Sequence, residues 1–143
     1  MFILQETPID ISLAKETSDK SGALVTFEGT VRADKINGRR VSELLYIADR
    51  PACIAEGKRI VEEAKEKFPI HEAACIQRIG RLKITECAIW IGVWAGHRDD
   101  AFVACRYIIE EVKKRLLIWK KEFYADGTEA WIHGKDKSAS PLT

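Results

Sequence analysis

From Leu82 to Ala95 the chain reads as a β-strand with apolar groups on both faces, Ile89, Ile91 and Val93 on one and Trp90, Gly92 and Trp94 on the other. A strand with no polar face must be covered twice, so it belongs at the centre of its sheet. The period then changes. Beyond Gly96-His97-Arg98, the residues Ala101, Phe102, Cys105, Ile109, Val112 and Leu116 recur at helical spacing and form an expected core stripe. Asp99 and Asp100 fall in the first turn of that helix and Lys113, Lys114 and Arg115 in its last, each sign matched to the helix dipole.

The remaining segments supply partners for that central unit. Met1 to Gln5 reads as a short first strand, and Asp10 can cap a helix carrying Ile11, Leu13 and Ala14 before Gly22. Gly22 to Val31 is rich in β-formers, and Asn37-Gly38 provides a turn before a second strand from Arg40 to about Ile47. Those two strands are expected to pair, with Arg32 at the exit of the first. Asp49 and Pro51 open a helix with Ile54, Ile60, Val61 and Ala64 on its apolar side, and Pro69 marks its end. Glu72 to Ile79 is a further strand, separated from the central one by Gly80. Asp126-Gly127 turns a last hairpin between Ile118 to Tyr124 and Ala130 to His133. With strands and helices alternating only loosely, and no repeat or glycine-rich nucleotide loop, the expectation is an α+β fold with a mixed or antiparallel sheet and packed helices. One domain is expected over residues 1–134, with a polar, mobile tail over 135–143.

A chain of 143 residues buries roughly two thirds of its unfolded surface without disulfides or metal. A net charge of only +1 provides no global field for nucleic acid or acidic membranes, so any anion site must be local. No apolar stretch is long enough to span a membrane, and Met1 to Glu6 lacks the basic start and apolar core of a signal peptide, so a cytoplasmic protein is expected. Cys53, Cys75, Cys87 and Cys105 form no Cys-x-x-Cys pair and lie among apolar residues, which reads as reduced, packed thiols. The spacing of Cys75, His71, His97 and His133 does not support a zinc site, and no metal is expected.

The cations are distributed in a way that core packing does not require. His97 and Arg98 precede the second long helix, and Lys113, Lys120 and Lys121 lie near and beyond its end, suited to a phosphate or carboxylate. A helix over residues 99 to 113 separates its ends by about 21 Å. One small pocket cannot hold both ends from one chain, so either the two ends serve different sites or a symmetric dimer brings His97-Arg98 of one copy beside Lys113 of another, and the second arrangement is expected. Lys120 and Lys121 alternate across a strand, so at most one of them points into a pocket.

Gly22-Ala23-Leu24-Val25-Thr26-Phe27-Glu28-Gly29-Thr30-Val31-Arg32, Arg78-Ile79-Gly80-Arg81-Leu82, Gly96-His97-Arg98-Asp99-Asp100-Ala101-Phe102, and Lys113 with Ile118-Trp119-Lys120-Lys121-Glu122 together resemble the large, catalytic subunit of molybdopterin synthase. The resemblance runs from about Gly22 to Trp131, with the motifs in order and at compatible spacing. It implies an α+β fold with a hammerhead-like β subdomain and a central homodimer. It also implies a heterotetramer, with one small ubiquitin-like sulfur-carrier subunit bound at each end. The implied reaction is sulfur transfer from a thiocarboxylate on the carrier's C-terminal Gly-Gly tail to cyclic pyranopterin monophosphate, forming the dithiolene of molybdopterin. No cofactor and no catalytic cysteine are implied. The family's substrate-pocket motifs fall on Thr30, Val31, Arg32, His97, Arg98, Lys113, Lys120, Lys121 and Glu122. Of these, Lys113 is expected to assist transfer and Lys120 to support developing charge. Arg32, with His97 and Arg98 from the neighbouring copy, is expected to hold the pterin phosphate. Neighbouring cations are expected to depress the lysine pKa values.

The sequence departs from the family pattern at Ile47-Ala48-Asp49-Arg50, where Glu and an aromatic residue are usual, and at Leu117, which stands in a usual proline position. Lys135 is a candidate for a further basic group of the tail. Two other readings compete: a noncatalytic dimeric scaffold for the carrier, and a small RNA- or nucleotide-binding module that stacks bases on Trp90, Trp94 or Trp119.

Overall fold

The computed structural model describes residues 1–10, 12 and 18–132. In chain order the elements are β1 (Phe2–Gln5), β2 (Ala23–Thr30), β3 (Lys35–Ile36), β4 (Arg39–Ala48), α1 (Arg50–Lys67), β5 (Ile70–Arg78), β6 (Gly80–Lys83), β7 (Cys87–Ala95), α2 (Arg98–Arg115), β8 (Ile118–Tyr124) and β9 (Glu129–Ile132). They build two sheets. The first has the order β1-β5-β7-β2, with β1 parallel to β5 and the other pairs antiparallel. The second is an antiparallel subdomain of β3, β4, β8 and β9, with β6 also paired to β4.

The apolar strand takes the central place its composition demands, since β7 lies between β5 and β2. Ile89, Ile91 and Val93 point to the face covered by the helices, where they meet Ile60 and Val61 of α1 and Ala104, Ile108 and Val112 of α2. Trp90 and Trp94 pack on the opposite face with Ala74 and Ile76. Each fully buried aliphatic side chain of this kind contributes about 1.5–3 kcal/mol relative to exposure. A smaller core of Val31, Val41, Leu44, Leu82, Ala88 and Tyr124 joins the two sheets.

Local chemistry sets the helix boundaries. Asp49 caps α1 by accepting from the Ala52 N–H at 3.2 Å, Pro51 follows within the first turn, and Pro69 lies just past the C-cap residue Phe68. In α2 the acidic first turn and the basic last turn both fall where the charge pattern places them.

Several expectations are corrected. The strands at residues 22–31 and 40–47 do not pair: β2 pairs with β7, while Asn37-Gly38 instead turns the short β3 onto β4. The Leu82 to Ala95 segment is two strands, because the chain turns between β6 and β7 with Thr85 at φ 75°. Ile54 is 37% exposed, and Cys53 and Gly57 take its place on the buried side of α1. Phe102 is 59% exposed, while Ala104 and Ile108 carry the stripe of α2. The expected helix after Asp10 and the tail after His133 lie outside the described residues, apart from Asp10 accepting from the Ser12 N–H at 2.9 Å.

Candidate functional site

Where the two sheets meet the end of α2, they enclose a pocket of about 190 Å³. Its wall combines Tyr46 of β4, Gln77 of β5, Ala88 and Ile89 of β7, Val112 and Lys113 of α2 with its C-cap residue Leu116, Ile118 and Lys120 of β8, and Ile132 of β9. The topology explains the convergence. α2 returns antiparallel along β7 and delivers Lys113 to the Cys87 end of the sheet, and β8 then runs beside β4 with Lys120 opposite Tyr46.

The pocket is cationic within an apolar wall. Lys113 keeps solvent access at the rim, yet its pKa is lowered, first by the desolvating protein around it and then by repulsion from Lys120. The sequence-based cause, neighbouring cations, is therefore the smaller of two. A lowered lysine is neutral more often at a given pH, so it can both stabilise an anion and exchange a proton. The Tyr46 phenol is held in its neutral form, with its pKa raised by burial and then by the negative charge of Glu122.

The expected site residues divide by position. Lys113 and Lys120 meet in the pocket. Thr30 stands opposite Cys87 at the end of β2, so Thr30, Val31 and Arg32 leave the sheet at the same end as Ala88 and Ile89. Arg32 is exposed and pairs with Asp34 at 3.3 Å. Val31, by contrast, is a core residue: its side chain is 4% exposed, its N–H donates to Glu86 O and its carbonyl accepts from the Thr85 N–H. Lys121 faces away from Lys120, pairs with Glu129 at 2.5 Å and lies over the rings of Phe123 and Trp131. Glu122 is buried and accepts from the Tyr124 hydroxyl at 3.0 Å, acting on the pocket through charge and not as part of its wall. His97 and Arg98 sit at the opposite end of α2, about 22 Å of helix from Lys113, so a single chain does not bring them to the pocket.

Sequence reasoning missed Tyr46 and Gln77. A glutamine directly after the apolar run Ala73 to Ile76 was the available signal for the second; no motif marked the first. Among the thiols, burial raises Cys75 to about 12 and Cys105 to about 11, and none of the four lines the pocket. His71 Nδ1 lies 3.0 Å from Ser21 Oγ, and among the described residues no three His, Cys, Asp or Glu side chains are grouped to hold a metal; His133 lies outside them. Trp90 and Trp94 are buried, which removes them as base-stacking surfaces.

The sequence model of a family described as MoaE protein matches residues 4–115. The chain is 41% identical over 124 residues to the molybdopterin synthase catalytic subunit of Thermoplasma volcanium, covering 87% of this chain and 89% of that one. It is 42% identical over 126 residues to the corresponding subunit of Pyrococcus abyssi, covering 88% and 84%. Among solved structures, molybdopterin synthase from Staphylococcus aureus matches with a TM-score of 0.86 and 33% identity, over 93% of this chain and 97% of that chain. A complex of subunits 1 and 2 of molybdopterin-converting factor from Helicobacter pylori shares the fold, with a TM-score of 0.71 at 17% identity over 96% and 92% of the two chains.

Proposed function

Because the chain belongs to the MoaE protein family, we propose that it is the catalytic subunit of a molybdopterin synthase, an enzyme of molybdenum cofactor biosynthesis. In this reading it transfers sulfur from the thiocarboxylated C-terminus of a small ubiquitin-like carrier to cyclic pyranopterin monophosphate. The observation that carries the reading is the meeting of Lys113 and Lys120 in one apolar-walled pocket. Sulfur arrives already bonded to the carrier, so the chain needs to bind two anions and stabilise charge. The raised thiols of Cys75 and Cys105 are consistent with that division of labour.

Lys113 lies nearest the arriving tail, where its ammonium balances the thiocarboxylate and its lowered pKa favours proton exchange with the reacting groups. Lys120 supports the charge that develops across the pocket. Arg32, at the open end of β2, reaches the pterin phosphate together with His97 and Arg98 of a second copy. That arrangement requires a homodimer, because α2 keeps its own His97-Arg98 about 22 Å from Lys113. The exposed Phe27, Phe102 and Val103, which line an apolar groove along the outer strand β2 and α2, support a self-association surface. With a carrier at each end the assembly is a heterotetramer. Residues 1–134 act as one catalytic domain. Among the described residues no helix is long and apolar enough to cross a membrane, and we place the reaction in the cytoplasm.

The test mixes the purified protein with thiocarboxylated carrier and cyclic pyranopterin monophosphate and follows dithiolene formation. Product is the expected result. Tight carrier binding without product would overturn the catalytic reading in favour of a scaffold.

A further inference from the structure

Gln77 is a buried polar residue that the transfer of sulfur, as described, does not use. It is only 6% exposed and stands in the pocket wall, preceded in its strand by Ala73, Ala74, Cys75 and Ile76 and followed by Arg78. A carboxamide in such a place is costly unless its polar atoms are matched. Its Nε2 donates to Arg78 O at 2.9 Å and to Ala88 O at 3.2 Å. Those two bonds use both amide hydrogens, which fixes the plane of the carboxamide and which of its ends is oxygen.

The oxygen is left over. No side chain or backbone N–H among the described residues donates to Oε1, and it is absent from the buried polar atoms lacking a partner, which are Arg78 Nε and Trp94 Nε1. Oε1 therefore keeps some exposure, on a residue that lines the pocket. It is an acceptor already oriented before anything binds, so it loses no rotamer freedom on binding.

We propose that Gln77 is a positioning and specificity residue, whose Oε1 accepts a hydrogen bond from a ring N–H or amino group of the pterin. This rests on the sulfur-transfer reading above and adds to it. The cations grip anionic groups without regard to the heterocycle, whereas a fixed neutral acceptor distinguishes a ring that presents a donor from one that does not.

The test uses the complete complex with carrier. Gln77→Met keeps the length of the side chain and removes the acceptor, and thermal unfolding checks that it folds. The expected result is a pterin Kd and KM raised about tenfold, as for loss of one neutral hydrogen bond. The single-turnover rate at saturating pterin and the carrier affinity stay within about twofold. A merely structural role would move those last two as well, and that outcome overturns the proposal, as does an unchanged pterin Kd. A second arm needs no variant: pterin analogues each lacking one N–H donor are titrated against the wild type. At least one is expected to bind about tenfold more weakly, and to suffer no further loss in Gln77→Met, so that the two penalties are not additive. Equal affinity for every analogue overturns the proposal. Absence of product from the wild-type complex would defeat the sulfur-transfer reading itself, whereas product together with a Gln77-independent pterin affinity defeats only this inference.

Discussion

Arg115 ends α2 two residues beyond Lys113, and it fastens that end of the helix to α1. Its Nε and Nη2 donate to Glu56 Oε1 at 2.7 and 2.5 Å, and Nη2 and Nη1 to the two Glu63 oxygens at 2.6 and 3.0 Å. Glu111 accepts a weaker bond at 3.3 Å, and Glu63 also accepts from the Tyr107 hydroxyl at 3.0 Å. Replacing Arg115 by Met leaves three carboxylates facing one another with their common cation gone. Charge-assisted bonds are worth about 1.5–3 kcal/mol when buried. The guanidinium is 24% exposed, so each pair is discounted toward the surface value of about 1 kcal/mol, and the whole change is placed at about 2–3 kcal/mol. For 143 residues the unfolding entropy is about 0.3 kcal/mol/K, so Tm falls by about 7–10 °C. The loss must also depend on pH. Arg115 is the first cause of a Glu63 pKa held below its ordinary 4.5. A depressed carboxylate contributes stability that is fully present above its unfolded pKa and is lost as pH falls through its folded pKa. Calorimetry of Arg115→Met and wild type at one protein concentration should therefore give a large difference at neutral pH that shrinks in acid below Glu63's folded pKa. A difference that is negligible at neutral pH, or that persists unchanged in strong acid, would mean that the Arg115–Glu63 pairing does not hold α2 to α1.

Removing Lys120 by Met should raise the Lys113 pKa, since one of its two depressing causes disappears, while burial keeps it below that of an ordinary lysine. Nitrogen NMR of the ammonium group reads this directly, and a fall or no movement would contradict it. Lys121→Ala should leave the single-turnover rate within about twofold, because Lys121 is engaged by Glu129 on the far side of β8. A hundredfold loss would place Lys121 in the chemistry.

Periodicity revealed the elements that bury one regular face. The alternation through Ile89 to Trp94, the Asp49-Pro51 cap and the charge-matched ends of α2 each encode their structure within a few neighbouring residues. Strand pairing is a different kind of information. The link between β2 and β7 joins residues about 65 apart, and nothing in the local pattern of Ala23 to Thr30 distinguishes that partner from the nearer β4. Phe102 misled because helical spacing specifies a face but not what covers it; in a single chain that residue is exposed. Within the site, Lys113 and Lys120 were marked by the resemblance to the family's motifs, since the charge pattern alone separated neither Lys113 from Lys114 nor Lys120 from Lys121. Val31 belonged to the same motif by sequence adjacency, yet its side chain points into the core joining the sheets. Tyr46 reached the wall through its register with Lys120, which only the folded second sheet defines.

Whether sulfur transfer takes place beside Lys113 is read by a single-turnover reaction of thiocarboxylated carrier with saturating cyclic pyranopterin monophosphate, with Lys113→Ala compared to wild type and carrier affinity measured in parallel. The expected rate for Lys113→Ala is lower by about 10²–10³-fold, as for removal of a group that stabilises transition-state charge, with the carrier still bound. A variant that transfers sulfur at the wild-type rate would contradict it and remove the chemistry from the Lys113–Lys120 pocket.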